Sequence, residues 1–178
     1  NVNFTTSGDL YNLTVTAGQA ILGTGVTGNI VKGSYLATGA ITFDNAATIA
    51  SASFDSSDIV TLKTLTGNIE LVDVKGNDGA SLTSAARIDG STVVANNGDV
   101  TMVAAQITDN TVTAQTGAAS LTADGTIFGN IITAATNANL TGVGQIGNNI
   151  IDAGETATLA GKAPGVGGVV DLMNDTVL

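Results

Sequence analysis

A column of apolar residues recurs every 19 or 20 positions along this chain. It runs Val15, Tyr35, Phe54, Val74, Val93, Val112, Ile132, Ile151 and Val170. Two positions after each comes a small residue, from Ala17, Ala37, Ser56 and Gly76 through Ala95, Ala114, Ala134 and Ala153, until Leu172 breaks the series. Residues i and i+2 share one face of a strand, so each large-then-small pair faces one interior. A fixed period of this length marks a repeat architecture, in which a unit buries its apolar side chains only against its neighbours.

Two more columns keep the same period, with a slip of one or two residues near the start. One holds Leu22, Phe43, Leu62, Leu82, Met102, Leu121, Leu140, Leu159 and Leu178; the other holds Ile49, Ile69, Ile88, Ile107, Ile127, Ile146 and Val166, with Ile30 at its start. Three apolar stations per repeat, parted by turn residues, predict three short strands per coil. The corners repeat as well: Gly90-Ser91, Asp109-Asn110, Gly129-Asn130 and Asn148-Asn149 fall in phase, and Gly79, Gly98 and Gly117 mark another corner. Asn and Gly tolerate the left-handed backbone that tight corners need, and stacked Asn side chains can bond to one another along the axis. The reading is an all-β, right-handed parallel β-helix, a three-sided solenoid of about nine coils of 19–20 residues, stacked at about 4.8 Å per coil. It forms one domain over 1–178, with 1–30 as an irregular first coil or cap and 31–178 as regular coils. A helical reading fails because stretches such as Thr111-Val112-Thr113-Ala114 have poor helix propensity and alternate with period two.

Composition narrows the chemistry. Hydrophobic residues are 43% of the chain but aromatics only 3%, so Ala, Val, Ile and Leu must fill the interior. The formal charge of −10 repels nucleic acid and anionic membranes, and neither is an expected partner. There is no Cys, which removes disulfides and thiolate chemistry, and no His, which removes the commonest general base. No 18-residue apolar run exists, so membrane insertion by this segment is not expected. The first residue is Asn1, not Met, and no signal peptide is visible; the chain reads as a processed form or an excerpt.

The segments Val93 to Asn110, Thr111 to Gly117, Leu121-Thr122-Ala123 and Ile127 to Asn130, with their equivalents over 31–178, resemble the repeat regions of filamentous-haemagglutinin-like bacterial exoproteins; autotransporter passenger domains share the pattern. The resemblance implies a secreted β-helix that projects from the bacterial cell surface, mediates adhesion or assembly and carries no catalytic residues. The expected role is a structural rod or adhesin segment, not an enzyme. Its partners would be other copies of itself, or a host or cell-surface protein or glycan. Two other roles compete: a filament subunit that stacks end to end through Val169, Val170, Leu172 and Leu178, and a carbohydrate-active β-helix using stacked carboxylates.

Asp58 with Asp78, and Asp89 with Asp109, fall at matching positions of adjacent coils and are the one catalytic device within reach; solvated corner residues are the plainer reading. Arg87 is the only Arg. Asp73, Asn77, Asp78 and Asp89 offer oxygen ligands, but no calcium-binding motif is present; no cofactor is expected beyond weak surface calcium. The run Lys75-Gly76-Asn77-Asp78-Gly79 reads as a loop. Gly23-Thr24-Gly25-Val26-Thr27-Gly28 matches G-x-G-x-x-G without a following helix, and also reads as a loop. Threonines bind ice or flat surfaces when they form a regular array, but in the sequence they look scattered over several columns.

Overall fold

The computed structural model describes residues 1–161, 172–173 and 176–178. It is a three-sided parallel β-helix. Three nine-stranded sheets run the length of the molecule, and every coil contributes one strand to each in the same order. Sheet A takes the longest strands, such as Ile59–Thr64 and Gly79–Ser84. Sheet B takes strands of two or three residues, such as Ile69–Glu70 and Arg87–Asp89. Sheet C takes mostly four-residue strands, such as Asp73–Gly76 and Thr92–Ala95. Nine strands per sheet make about eight coil-to-coil steps, and no helix occurs among the described residues.

The three apolar columns become the three inner walls. On sheet C the register runs Val15, Tyr35, Phe54, Val74, Val93, Val112, Ile132, Ile151. On sheet A, Leu62, Leu82, Met102, Leu121, Leu140 and Leu159 pair in series; on sheet B, Ile69, Ile88, Ile107, Ile127 and Ile146 do the same. All are buried except Leu159, which is half-buried in the last described strand of sheet A. Residues 1–30, expected as an irregular first coil or cap, follow the same three-strand order, with one register shift between Asn3 and Thr5.

Several column assignments move. Leu22 pairs with Thr42 and is half-exposed, so Gly23, not Leu22, lies level with Phe43. A Cβ on Gly23 would come within 2.0 Å of the Phe43 ring. The gap lets Phe43 reach across to Phe4, with ring centroids 6.2 Å apart. At the far end the repeat lengthens. Ile146 pairs with Leu172 and Ile151 with Val177, so the B and C columns continue there and not at Val166 and Val170. Val166, Val169 and Val170 lie outside the described residues. Leu178 leaves the Leu159 column: its N–H bonds Ile151 O in sheet C, and its side chain is 73% exposed.

The corner from sheet B to sheet C is built from one residue with a φ of 52–72°, at Asn12, Lys32, Ser51, Leu71, Gly90, Asp109, Gly129 and Asn148. Gly, Asn and Asp adopt this backbone readily, whereas Leu71 carries a cost of about 1–2 kcal/mol. The next residue turns inward. In the later coils these inward residues are Ser91, Asn110, Asn130 and Asn149, all buried. Asn130 Oδ1 accepts from both Asn110 N and Asn110 Nδ2 at 3.0 Å, and Asn149 Oδ1 accepts from Asn130 N and Nδ2 at 3.0 and 2.9 Å. The ladder continues to Ser91, whose N–H donates to Asn110 Oδ1 at 2.9 Å. The amides also donate to Ile88 O, Ile107 O and Ile127 O, which ties sheet B to the corner. Buried amides are tolerated only when satisfied in this way.

Asn130→Ala strands the Asn110 donors and removes three side-chain donations of its own. A loss of roughly 3 kcal/mol in urea unfolding is expected, given about 1–3 kcal/mol for each buried group left unpaired. Asn130→Asp, which buries a charge in the same place, should cost more.

Candidate functional site

With the interior filled, function falls to the outward residues, and the three faces differ. Sheet C carries a shallow depression lined by Ser34, Leu36, Ser53, Asp55, Asp73 and Lys75. Lys75 stands opposite Asp55, and Asp73 opposite Ser53. Sheet B carries the chain's only Arg: Arg87 Nη2 lies 3.4 Å from Asp89 and 4.0 Å from Glu70. These pairs are half-exposed and contribute little to stability. Sheet A is nearly free of charge. Only Asp44 and Lys63 are charged in its strands, and none of the strands from Gly79–Ser84 to Thr156–Gly161 contains a charged residue.

The acid pairs separate on inspection. Asp58 and Asp78 do lie one coil apart, with Asp78 N donating to Asp58 O at 3.2 Å. Each carboxylate is already held locally: Asp58 Oδ1 accepts from Ile59 N at 2.8 Å, and Asp78 Oδ1 from Asn77 Nδ2 at 2.7 Å. Asp89 and Asp109 are not stacked. Asp89 pairs with Thr108, whose hydroxyl donates to its carboxylate, while Asp109 occupies the left-handed corner level with Gly90. The step between those coils is 19 residues, and the two Asp are 20 apart.

The calcium candidates are dispersed. Asp73 is on sheet C, Asp89 on sheet B, and Asn77-Asp78 form the bend between sheets C and A. Among the described residues no three acidic side chains converge on one point. The Lys75–Gly79 run is strand, bend and strand, not a loop. Its Gly76 faces inward, where a Cβ would lie 1.9 Å from Gly79 O. Gly98 and Gly117 share a corner column, but Gly79 sits one place later, level with Asp99. The Gly23–Gly28 run is also mostly strand, Ile21–Val26, and its glycines make room for Phe43, Thr5 and Gly8; they form no phosphate cradle.

Reading the sequence for columns missed the order on the outside of sheet A. Thr42, Thr61, Ser81, Thr101, Ser120, Asn139 and Thr158 pair one to the next without a break. Beside them Thr83, Val103, Thr122 and Thr141 form a second column. The threonines do fall in several columns, since Thr92 pairs with Thr111 and Thr113 with Thr133 on sheet C, but on this face they stand in register with Ser, Asn and Val. The signal was available as the residues flanking the Leu62-to-Leu159 column.

Among the described residues one titratable group is buried. Tyr35 stacks on Phe54 with centroids 5.1 Å apart, meets Phe43 edge-on at 5.1 Å, and its hydroxyl has no hydrogen-bond partner. Burial pushes its pKa from 10.0 up to about 12. No family model matches the chain, and comparison with curated proteins and solved structures finds no match. Among the described residues no helix is long and apolar enough to cross a membrane.

The raised Tyr35 pKa means that the folded state holds the phenol proton more tightly than the unfolded state. Its contribution is complete below pH 10.0 and is lost as pH climbs through about 12. Tyr35→Phe should remove that part of the alkaline loss of Tm. It should also raise stability near neutral pH by about 1 kcal/mol, because no buried hydroxyl is left unpaired.

Proposed function

We propose that this chain is a rigid structural segment of a bacterial cell-surface or secreted protein, a rod that holds adhesive or assembling surfaces away from the cell. The observation that carries the reading is the stacking of three nine-stranded parallel sheets around one continuous apolar interior, with register shifts only between Asn3 and Thr5 and between Leu62 and Thr64. Such a stack bends little, because every coil is hydrogen-bonded over three faces to the coils above and below it. Its outward side chains can vary without disturbing the core, which suits a surface that meets a partner over a wide area. The resemblance to filamentous-haemagglutinin-like repeats supports the same role and an extracellular location. It rests on the column pattern over 31–178. Partners of the rod would be further copies of itself, or a host or cell-surface protein or glycan, met by the outward columns.

Small-angle scattering and bead attachment test the two halves of this reading. A stiff particle of constant cross-section, at least about 38 Å long, is expected from eight coil steps. Beads coated with the protein should adhere to cells or immobilised glycans above bare beads. A scattering curve of a flexible chain would sink the rod, and stiff particles without attachment would sink the adhesin.

A further inference from the structure

We propose that the charge-free outer face of sheet A, over the five strands from Gly79–Ser84 to Thr156–Gly161, binds ice. This goes beyond the rod reading and rests on a different observation, the chemistry of one face.

The face offers a two-dimensional grid. Ser81, Thr101, Ser120, Asn139 and Thr158 follow one another along the axis, and Thr83, Val103, Thr122 and Thr141 run alongside. No register shift interrupts any pairing from Ile59–Thr64 onward. Spacing is therefore set by the backbone at about 4.8 Å along the axis and about 6.6 Å between alternate residues of a strand. At the five Thr of the grid, Thr83, Thr101, Thr122, Thr141 and Thr158, the branched side chain holds one or two rotamers, so hydroxyl and methyl stay in place. None of these hydroxyls is bonded within the protein, and each can both donate and accept, as a water molecule in a lattice does.

Charge selects the occupant. A chain of net charge −10 keeps five consecutive strands of this face neutral, with Asp78, Asp99, Asp124 and Glu155 only at their ends, whereas over the same coils the strands of sheet B carry Arg87 and Asp89 and those of sheet C carry Asp152. A charged group would order its own hydration shell and disrupt a water lattice. The grid also lacks aromatic side chains, which removes the usual stacking platform for a sugar ring. A second copy of the chain is a poor fit by size. The face measures roughly 20 by 20 Å, about half of the 800 Å² per partner of a standard interface.

The test uses the purified protein with Thr101→Lys, Thr122→Lys and, as a control on sheet C, Thr133→Lys; circular dichroism checks that all remain folded. Wild-type protein should partition into a slowly growing ice front and inhibit ice recrystallisation. Thr101→Lys and Thr122→Lys should each weaken this by roughly tenfold, a change of about 1.4 kcal/mol, and Thr133→Lys should not. Exclusion of wild-type protein from ice overturns the proposal, as does an equal loss in Thr133→Lys. Binding to crystalline cellulose or chitin, or a dimer broken by Thr122→Lys, without ice activity would assign the face to another occupant and overturn it too.

Discussion

Everything in this molecule depends on hydrogen bonds between consecutive coils. A strand of two to six residues has no partner within its own coil. Its N–H and C=O groups are satisfied only by the strands one repeat before and after it. The repeat length is what keeps that arrangement closed. A step of 19 or 20 residues returns the chain to the same three faces, and the left-handed residue between sheets B and C absorbs the turn in every coil from Asn12 to Asn148. The cost of placing Lys32, Ser51 and Leu71 in that conformation is accepted locally because the neighbouring ladders over-determine it.

Inside that frame the core changes character along the axis. Near the N-terminal end, Phe4, Tyr35, Phe43 and Phe54 fill the interior, and glycines at 23 and 33 give up their side chains to admit the rings. Beyond the coil of Val74 the walls are aliphatic, and the B–C corner is filled by Ser91 and the asparagine ladder. The two solutions meet the same demand. An interior of fixed cross-section is filled either by large rings beside glycines or by mid-sized side chains with amides bonded along the axis.

Much of the fold was legible because inward positions tolerate few residue types. Val93, Val112 and Ile132 announce their column in sequence. The sheet A station before Leu62 and Leu82 was not legible, since it mixes Val60, Ala80, Val100, Ala119 and Ala138, and alanine is too common to reveal a column. Leu22 misled because the true inward residue there is a glycine. Asp89 and Asp109 misled because a spacing of 20 was read across a 19-residue coil. The outer grid of sheet A stayed hidden for a related reason: Thr, Ser and Asn recur at many exposed places, and only register shows which of them are neighbours.

The most direct test is a methyl-resolved nuclear Overhauser experiment on the full chain, read at Val93, Val112 and Ile132. The account predicts strong contacts between Val93 and Val112 and between Val112 and Ile132, with none between Val93 and Ile132, because one coil separates each adjacent pair. Absence of contacts between residues 19 or 20 apart, or a pattern of contacts three and four residues apart, would contradict the stacked-coil structure.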